Sequence, residues 1–535
     1  MPLHGRMAYS SPDRKRLVSG CSPERLEVSR LLTLDGSVLD CDQIARVARE
    51  GEKVALTNAA LGKIATAHDQ IAEVAARRPV YGRGTGVGAN RTVLVSDAQG
   101  HGRRLLRSHA AASGPNLSPD VVRAMLLIRL NQFAAGGSGV SPATARGLQR
   151  LLNEDALPAV REHGSVGTGD LAALAGTAMT LIGERPASRP WTPVADFPES
   201  DALPFISSNA LTLGRITLAL ADLEPLVRAA TVVAGLSFAA VRGNPEAFSE
   251  QAARATPFTG TAVVAEWLRE LISSPLTAAR IQDPFGYRVF PQAHGAVVDA
   301  VADLTSAVTS LAATAQENPL LVTAAIGEQA TVVHHGGFHM APLALRLDTA
   351  RLAFAQEAPL LLGRIRTLTD PSYTQLTSFL AAGPPGSSGT MILEYVAGSA
   401  YGALRAAAAP ASLETVVLSR GTEDDASFAS LGARQLETTV HSYRTMIACE
   451  LLHALRALAL RDERATGLPS PLLAEAWRRC HDDNTSYVAD HADRDLENEL
   501  AAAEELLPVL AGLLPPTPRT TYSRAPQIPT SSGVA

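Results

Sequence analysis

The side chains best suited to chemistry sit in short, glycine-broken segments of the chain. Arg288, in Gln282-Asp283-Pro284-Phe285-Gly286-Tyr287-Arg288, carries a planar fork of donors that matches a carboxylate bidentately. The alternative for such a residue is an ion pair between helices. Glu423 heads an acidic triplet with Asp424 and Asp425; with His109 it suits a polar or cationic group such as an imidazole, and its bland alternative is a solvated loop acid. Tyr81-Gly82-Arg83-Gly84-Thr85-Gly86-Val87-Gly88 has glycine at every second position, which permits positive φ and close backbone approach to a ligand. Its spacing is not that of a dinucleotide fingerprint, and no phosphate-binding GxxxxGK[ST] loop is present. His334, His335 and His339 include metal-ligand spacing, but Gly336-Gly337 argues against the helix that would align them. We expect no metal there, and read these histidines as structural or substrate-lining.

Taken in order, several runs are similar to those of the histidine and phenylalanine ammonia-lyases and aminomutases. Tyr81–Gly88 resembles their Tyr-Gly-x-Asn-Thr-Gly-Phe-Gly, and Ser108-His109-Ala110-Ala111 their Ser-His-Ala-Ala. Leu130-Asn131 with Gly136-Gly137-Ser138-Gly139 resembles their Asn-Ser-Leu and Gly-x-Ser-Gly pair. Gly164-Ser165-Val166-Gly167-Thr168-Gly169-Asp170-Leu171 resembles the loop holding their Ala-Ser-Gly tripeptide. Asn209 stands at a substrate-site asparagine, and Gln282–Arg288 is close to Gln-Asp-Pro-Tyr-Ser-x-Arg. Glu317-Asn318-Pro319-Leu320, Gly337-Phe338-His339 and Glu423-Asp424 complete a likeness that spans about residues 28–465.

That resemblance implies elimination or migration of the amine of an α-amino acid, histidine-like or aromatic. It implies Tyr81 as the base that removes the β-proton and a site including His109, Asn209, Gln282, Arg288, Asn318, Phe338 and Glu423. It also implies a self-derived methylidene-imidazolone electrophile, built here from Gly167-Thr168-Gly169, helix N-termini aimed at the site, and a homotetramer whose sites borrow residues from three subunits. The departures are specific. The tripeptide loop is one residue shorter, and dehydrating Thr168 would give an ethylidene group carrying an extra methyl. Gly84 and Val87 replace the Asn and Phe of the tyrosine loop. Phe285 stands where the family has a catalytic tyrosine, and a phenyl ring offers neither donor nor acceptor; Tyr287 could substitute only if the loop were rethreaded. Three readings stay open: amine elimination or migration on the imidazolone, a changed mechanism without it, and a non-catalytic amino-acid-binding member.

The elements that must hold these residues read as helices. Hydrophobic residues make up 46% and aromatics only 4% of the 535 residues, a mixture that favours close helix–helix packing. Ser118-Pro119 predicts a helix start leading into Val121–Phe133. Val297, Val301, Leu304, Val308 and Leu311 line one helix face, as do Leu436, Val440, Ile447, Leu451, Leu455 and Leu458 in a helix ending near Arg461. Leu343–Ile365 is helical in pattern, with a kink expected at Pro359. The expected fold is mainly α, a long-helix bundle with an N-terminal loop-and-helix region. We place tails at 1–25 and 514–535, an N-terminal region at 26–195 carrying the tyrosine and tripeptide loops, and the bundle with its C-terminal helices at 196–513. A net charge of −6 gives no reason to expect nucleic acid. No run of about 18 uninterrupted apolar residues suggests a membrane span. Four scattered cysteines without a CxxC pair suit a reducing cytoplasm.

Overall fold

The computed structural model describes residues 31–95, 99–274, 277–323, 329–461, 467–481 and 492–517. The expected tail at 1–25 lies outside them, as does all of 514–535 except its first four residues.

The chain is mainly helical. Its helices include α1 (Asn58–Arg77), α2 (His101–His109), α3 (Pro119–Ala135), α4 (Leu171–Leu181), α5 (Ala210–Ala240), α6 (Thr259–Leu271), α7 (Phe290–Ala312), α8 (Ala341–Thr369), α9 (Met391–Ala407), α10 (Ala429–Leu460) and α11 (Glu497–Ala511), with the further helices Pro142–Asn153 and Pro471–Arg479 and shorter helical turns between them. Strands are confined to short pairs among the described residues. Leu31–Leu34 lies parallel to Lys53–Leu56, Ser113–Asn116 antiparallel to Arg161–His163, and Leu320–Val322 antiparallel to Thr331–Val333.

Helix α5 is the axis of the bundle. At 31 residues it is about 46 Å long, and it is buried around nearly its whole circumference, which fits a sequence apolar on every side. It packs most extensively on α10, and also on α3, α7 and α11. The stripe from Val297 to Val308 is the buried face of α7, turned onto α5, α6 and α8. Helix α7 is long and apolar enough to cross a membrane by length and composition, but this packing already accounts for its apolar face. Ser118 is the N-cap of α3 with Pro119 in the first turn, although its hydroxyl makes no capping bond. Helix α8 runs through Pro359 as one element, so the proline costs one backbone hydrogen bond without ending the helix.

Between α8 and α10 the core contains charge. Arg364 donates two bonds to Glu450, at 2.7 and 2.8 Å, and lies 3.7 Å from Glu357. All three side chains are fully buried. Burial pushes the Glu357 carboxyl up to about 7, against the pull of Arg364.

Candidate active site

The tripeptide loop is held where three helix N-termini meet. Helix α4 begins directly after it, with Asp170 as N-cap. The Asp170 carboxylate accepts the backbone N–H (2.8 Å) and hydroxyl (2.9 Å) of Thr212 in the first turn of α5. Burial raises the Asp170 carboxyl, and the Thr212 bonds oppose that rise. Asn209, the buried N-cap of α5, accepts the Gly169 N–H at 3.1 Å and donates to the Phe338 carbonyl at 2.8 Å. At the start of α10 the Phe428 N–H donates to the Val166 carbonyl (2.9 Å), and the Ser427 hydroxyl donates to the Gly167 carbonyl (2.7 Å). Gly167 and Gly169 have φ of +87° and +110°, a region open to glycine at little cost. An added Cβ at Gly167 would stand 2.2 Å from Ser427 Oγ and 2.9 Å from the backbone nitrogens of Phe428 and Ala429.

This loop forms one wall of a cavity of about 1040 Å³, lined by Thr168 together with Tyr81, His109, Asn318, Phe338 and Glu423. Six sequence-predicted positions thus converge in one chain. The Tyr81 hydroxyl accepts the Gly88 N–H at 2.8 Å. Burial, then the nearby Glu423, raises its phenol above the usual range, and the Gly88 N–H and Arg91 work against that rise. A neutral phenol is therefore the resting form at pH 7, with a backbone donor already placed for the phenolate. His109 Nδ1 lies 2.9 Å from the Leu105 carbonyl oxygen, which fixes the ring with one nitrogen committed to the protein. Asn318 Oδ1 accepts the His335 N–H, and the Asn318 N–H donates to Ser207 Oγ, both at 3.1 Å. The preceding Glu317 is anchored by the buried Arg129 at 2.8 Å.

The cavity wall is strongly acidic on one side. Asp424 and Asp425 join Glu423 there, and His339 Nε2 lies 3.6 Å from Asp425. His334 also faces the cavity, and burial lowers its imidazole, so it stays neutral. His335 is committed elsewhere, its Nε2 2.6 Å from the Glu317 carbonyl oxygen. No group of three metal-ligating side chains is present among the described residues.

Gln282, Phe285 and Arg288 do not line this cavity. They occupy a turn at the start of α7, where Gln282 is exposed and Phe285 is 59% exposed. The Arg288 guanidinium stacks 4.8 Å from the centre of the Phe285 ring, and its Nε makes no hydrogen bond. The interhelical ion pair that was the alternative for Arg288 is not formed among the described residues. Tyr287 does not replace the missing hydroxyl of Phe285. It is 2% exposed, and its oxygen sits 2.9 Å from Ser237 Oγ inside the core.

Sequence reasoning missed Ser419 and Ser427. Ser419 Oγ accepts the Ala89 N–H at 2.8 Å and so docks the tyrosine loop onto the Glu423 segment. No pattern in the sequence marks either serine, because each bond spans more than 250 residues.

The Aromatic amino acid lyase family matches this chain over residues 39–482. The chain is 32% identical to the histidine ammonia-lyase of Streptomyces coelicolor over 494 residues, covering 88% of this chain and 94% of that protein. Among solved structures it resembles the tyrosine aminomutase of Streptomyces globisporus, with a TM-score of 0.81, 26% identity, and coverage of 90% and 97% of the two chains. The histidine ammonia-lyase of Trypanosoma cruzi has the same fold, with a TM-score of 0.81, 23% identity, and coverage of 93% and 100%. The chain belongs to the aromatic amino acid lyase family, as a carbon–nitrogen lyase of the ammonia-lyase and aminomutase group.

Proposed function

We propose that the cavity binds an α-amino acid whose side chain is polar or cationic, as imidazole is, and expels its amine as ammonia or moves it to the neighbouring carbon. The observation that carries this reading is the convergence of Tyr81, His109, Thr168 and Glu423 on one acidic cavity. The family's self-derived imidazolone fits the loop that is present. The amide nitrogen that must close the ring, Gly169 N, is held by Asn209, and the carbonyl it must reach, Gly167 C=O, is held by Ser427. Once formed from Gly167-Thr168-Gly169, the group supplies an electrophilic double bond that makes the amine a better leaving group.

The remaining work falls to this chain's own side chains. Tyr81, once ionised, takes the β-proton as a phenolate and becomes the neutral phenol, the Gly88 N–H stabilising the anion before the transfer. Glu423 and His109 receive the substrate side chain, while Asn209, Asn318 and Phe338 shape the wall around the loop. Arg288 is suited to the carboxylate, but it lies outside the cavity of its own chain. We therefore assign Arg288, Gln282 and Phe285 to the cavity of a second copy, within a homotetramer. The exposed Phe285, the unbonded Arg288 Nε and the exposed Gln282 on one turn support that assignment. We place the protein in the cytoplasm.

Intact mass tests the electrophile: loss of two waters, about 36 Da, is expected. Histidine, tyrosine and phenylalanine are then assayed for ultraviolet-absorbing unsaturated acids. An unmodified mass with turnover would replace this reading by elimination without the imidazolone. An unmodified mass with neither turnover nor ligand-induced thermal shift would end the catalytic reading. Coexpressing Tyr81→Phe and Arg288→Met chains tests the shared site. Activity above either variant alone is expected, and none would show that the two residues do not act across copies.

A further inference from the structure

We infer that Ser427 and the first turn of α10 form an oxyanion cradle for ring closure at Gly167, and that the short loop depends on it. This rests on the imidazolone reading above, but concerns how the chain makes the group. In ring closure the Gly169 nitrogen bonds to the Gly167 carbonyl carbon, and the amide proton passes to the carbonyl oxygen. The resulting hydroxyl leaves with the Thr168 N–H proton as the first water. The Thr168 β-hydroxyl then leaves with its α-proton as the second, giving the exocyclic double bond.

The costly moment is the first, when negative charge develops on the Gly167 oxygen. That oxygen already accepts the Ser427 hydroxyl at 2.7 Å. Ser427 Oγ in turn accepts the Ala429 N–H at 3.4 Å, so the donor is polarised by the positive end of a 32-residue helix. Ser427 is 4% exposed, and a donor fixed in such a dry site is worth far more than one in water. The adjacent Phe428 N–H fixes the Val166 carbonyl at 2.9 Å, which fixes the approach of the loop. Gly167 is what permits this closeness. Any side chain there would meet Ser427 Oγ and the two backbone nitrogens, so the shortened loop and the glycine are one device.

The test is a time course of intact mass after induction of wild type, Ser427→Ala and Ser430→Ala, with circular dichroism to confirm folding. Ser430 is the control, since its hydroxyl anchors the same loop through the Ser165 carbonyl (2.9 Å) without touching a reacting atom. Wild type and Ser430→Ala are expected to lose both waters. Ser427→Ala is expected to close about 100-fold more slowly. A folded Ser427→Ala chain that loses both waters as fast as wild type would overturn the proposal, as would equal slowing in Ser430→Ala. If Ser427→Ala does not fold, Ser427→Cys replaces it: its weaker donor should slow closure, and wild-type closure overturns the proposal. Wild type that never loses water brings down the imidazolone reading itself, which separates the two failures.

Discussion

Gly167→Ala restores the residue with which the family's tripeptide begins, and the structure predicts that it does harm. Holding an L-residue at φ +87° costs about 1–2 kcal/mol. The new Cβ would stand 2.2 Å from Ser427 Oγ and 2.9 Å from the Phe428 and Ala429 nitrogens. Two of those three atoms are backbone in the first turn of a long helix, so the loop must retreat and the helix will not. Retreat breaks the Ser427-to-Gly167 and Phe428-to-Val166 bonds, each worth about 1 kcal/mol net. The local loss is then about 3–4 kcal/mol. Hydrogen exchange followed by mass spectrometry reads it directly, because the Phe428 amide reports on the loop's anchor and keeps its proton whether or not the ring has closed. At about 1.4 kcal/mol per decade, exchange there should accelerate at least 100-fold, while amides in the middle of α5 are unchanged. Loss of the two waters should fail in the same sample. Wild-type exchange at Phe428, with both waters lost, would refute the account of why glycine stands at this position.

Three further outcomes follow from the same geometry. Glu357 titrates near 7 when folded against 4.5 ordinarily, so the folded state holds the extra proton between those values and stability falls as pH rises through that window. At about 1.4 kcal/mol per pH unit the fall is about 3 kcal/mol; urea unfolding of Glu357→Gln should lack this slope and show the greater stability at pH 8, and identical slopes would contradict it. Tyr81 is held above its ordinary range, so kcat/KM should climb with pH into the alkaline range. Tyr81→Phe should remove that limb and about 10²–10⁴ of the rate, and an unchanged limb would assign the base elsewhere. Phe285→Tyr adds a hydroxyl to a ring that is 59% exposed in the single chain; the fold should be indifferent, and a rise in turnover is expected, whereas no change would place Phe285 outside the chemistry.

What was legible in the sequence was what local spacing encodes. The stripes from Val297 to Leu311 and from Leu436 to Leu458 fall within α7 and α10, because burial of one helix face imposes its period on the residues that make it. Alternating glycines likewise marked the loop at Tyr81, while the loop at Gly164 was identified by likeness to a family. The meeting of those loops came from likeness to a family and not from any period, since bringing Thr168, Asn318 and Glu423 to one cavity depends on how the bundle closes. The Arg364–Glu357–Glu450 cluster was illegible for a related reason: three charges on otherwise helical patterns look like solvent-facing positions until two helices are packed together. The turn from Gln282 to Arg288 shows the opposite limit. Its residues were readable, but they do not line the cavity of the chain that carries them.

The departures from the family pattern are therefore not equivalent. On the proposed reading the shorter tripeptide loop has a local answer, since Gly167 allows the close approach of Ser427 and α10, and the amide and carbonyl that ring closure would join are held by Asn209 and Ser427. The loss of a hydroxyl at Phe285 has none among the described residues. The neighbouring Tyr287 is turned into the core beside Ser237, and its phenol is raised far above the ordinary range by burial, so it can neither reach out nor ionise. The ring at 285 instead stacks on Arg288, a contact that favours a fixed guanidinium over an added proton donor. On the proposed reading, the missing hydroxyl changes the chemistry on the side of the site that the α7 turn would supply, apart from the extra methyl that Thr168 would bring to the loop. That reading divides the two effects experimentally: changes in the loop should alter whether the two waters are lost, and changes in the turn should alter only how fast a dehydrated protein works.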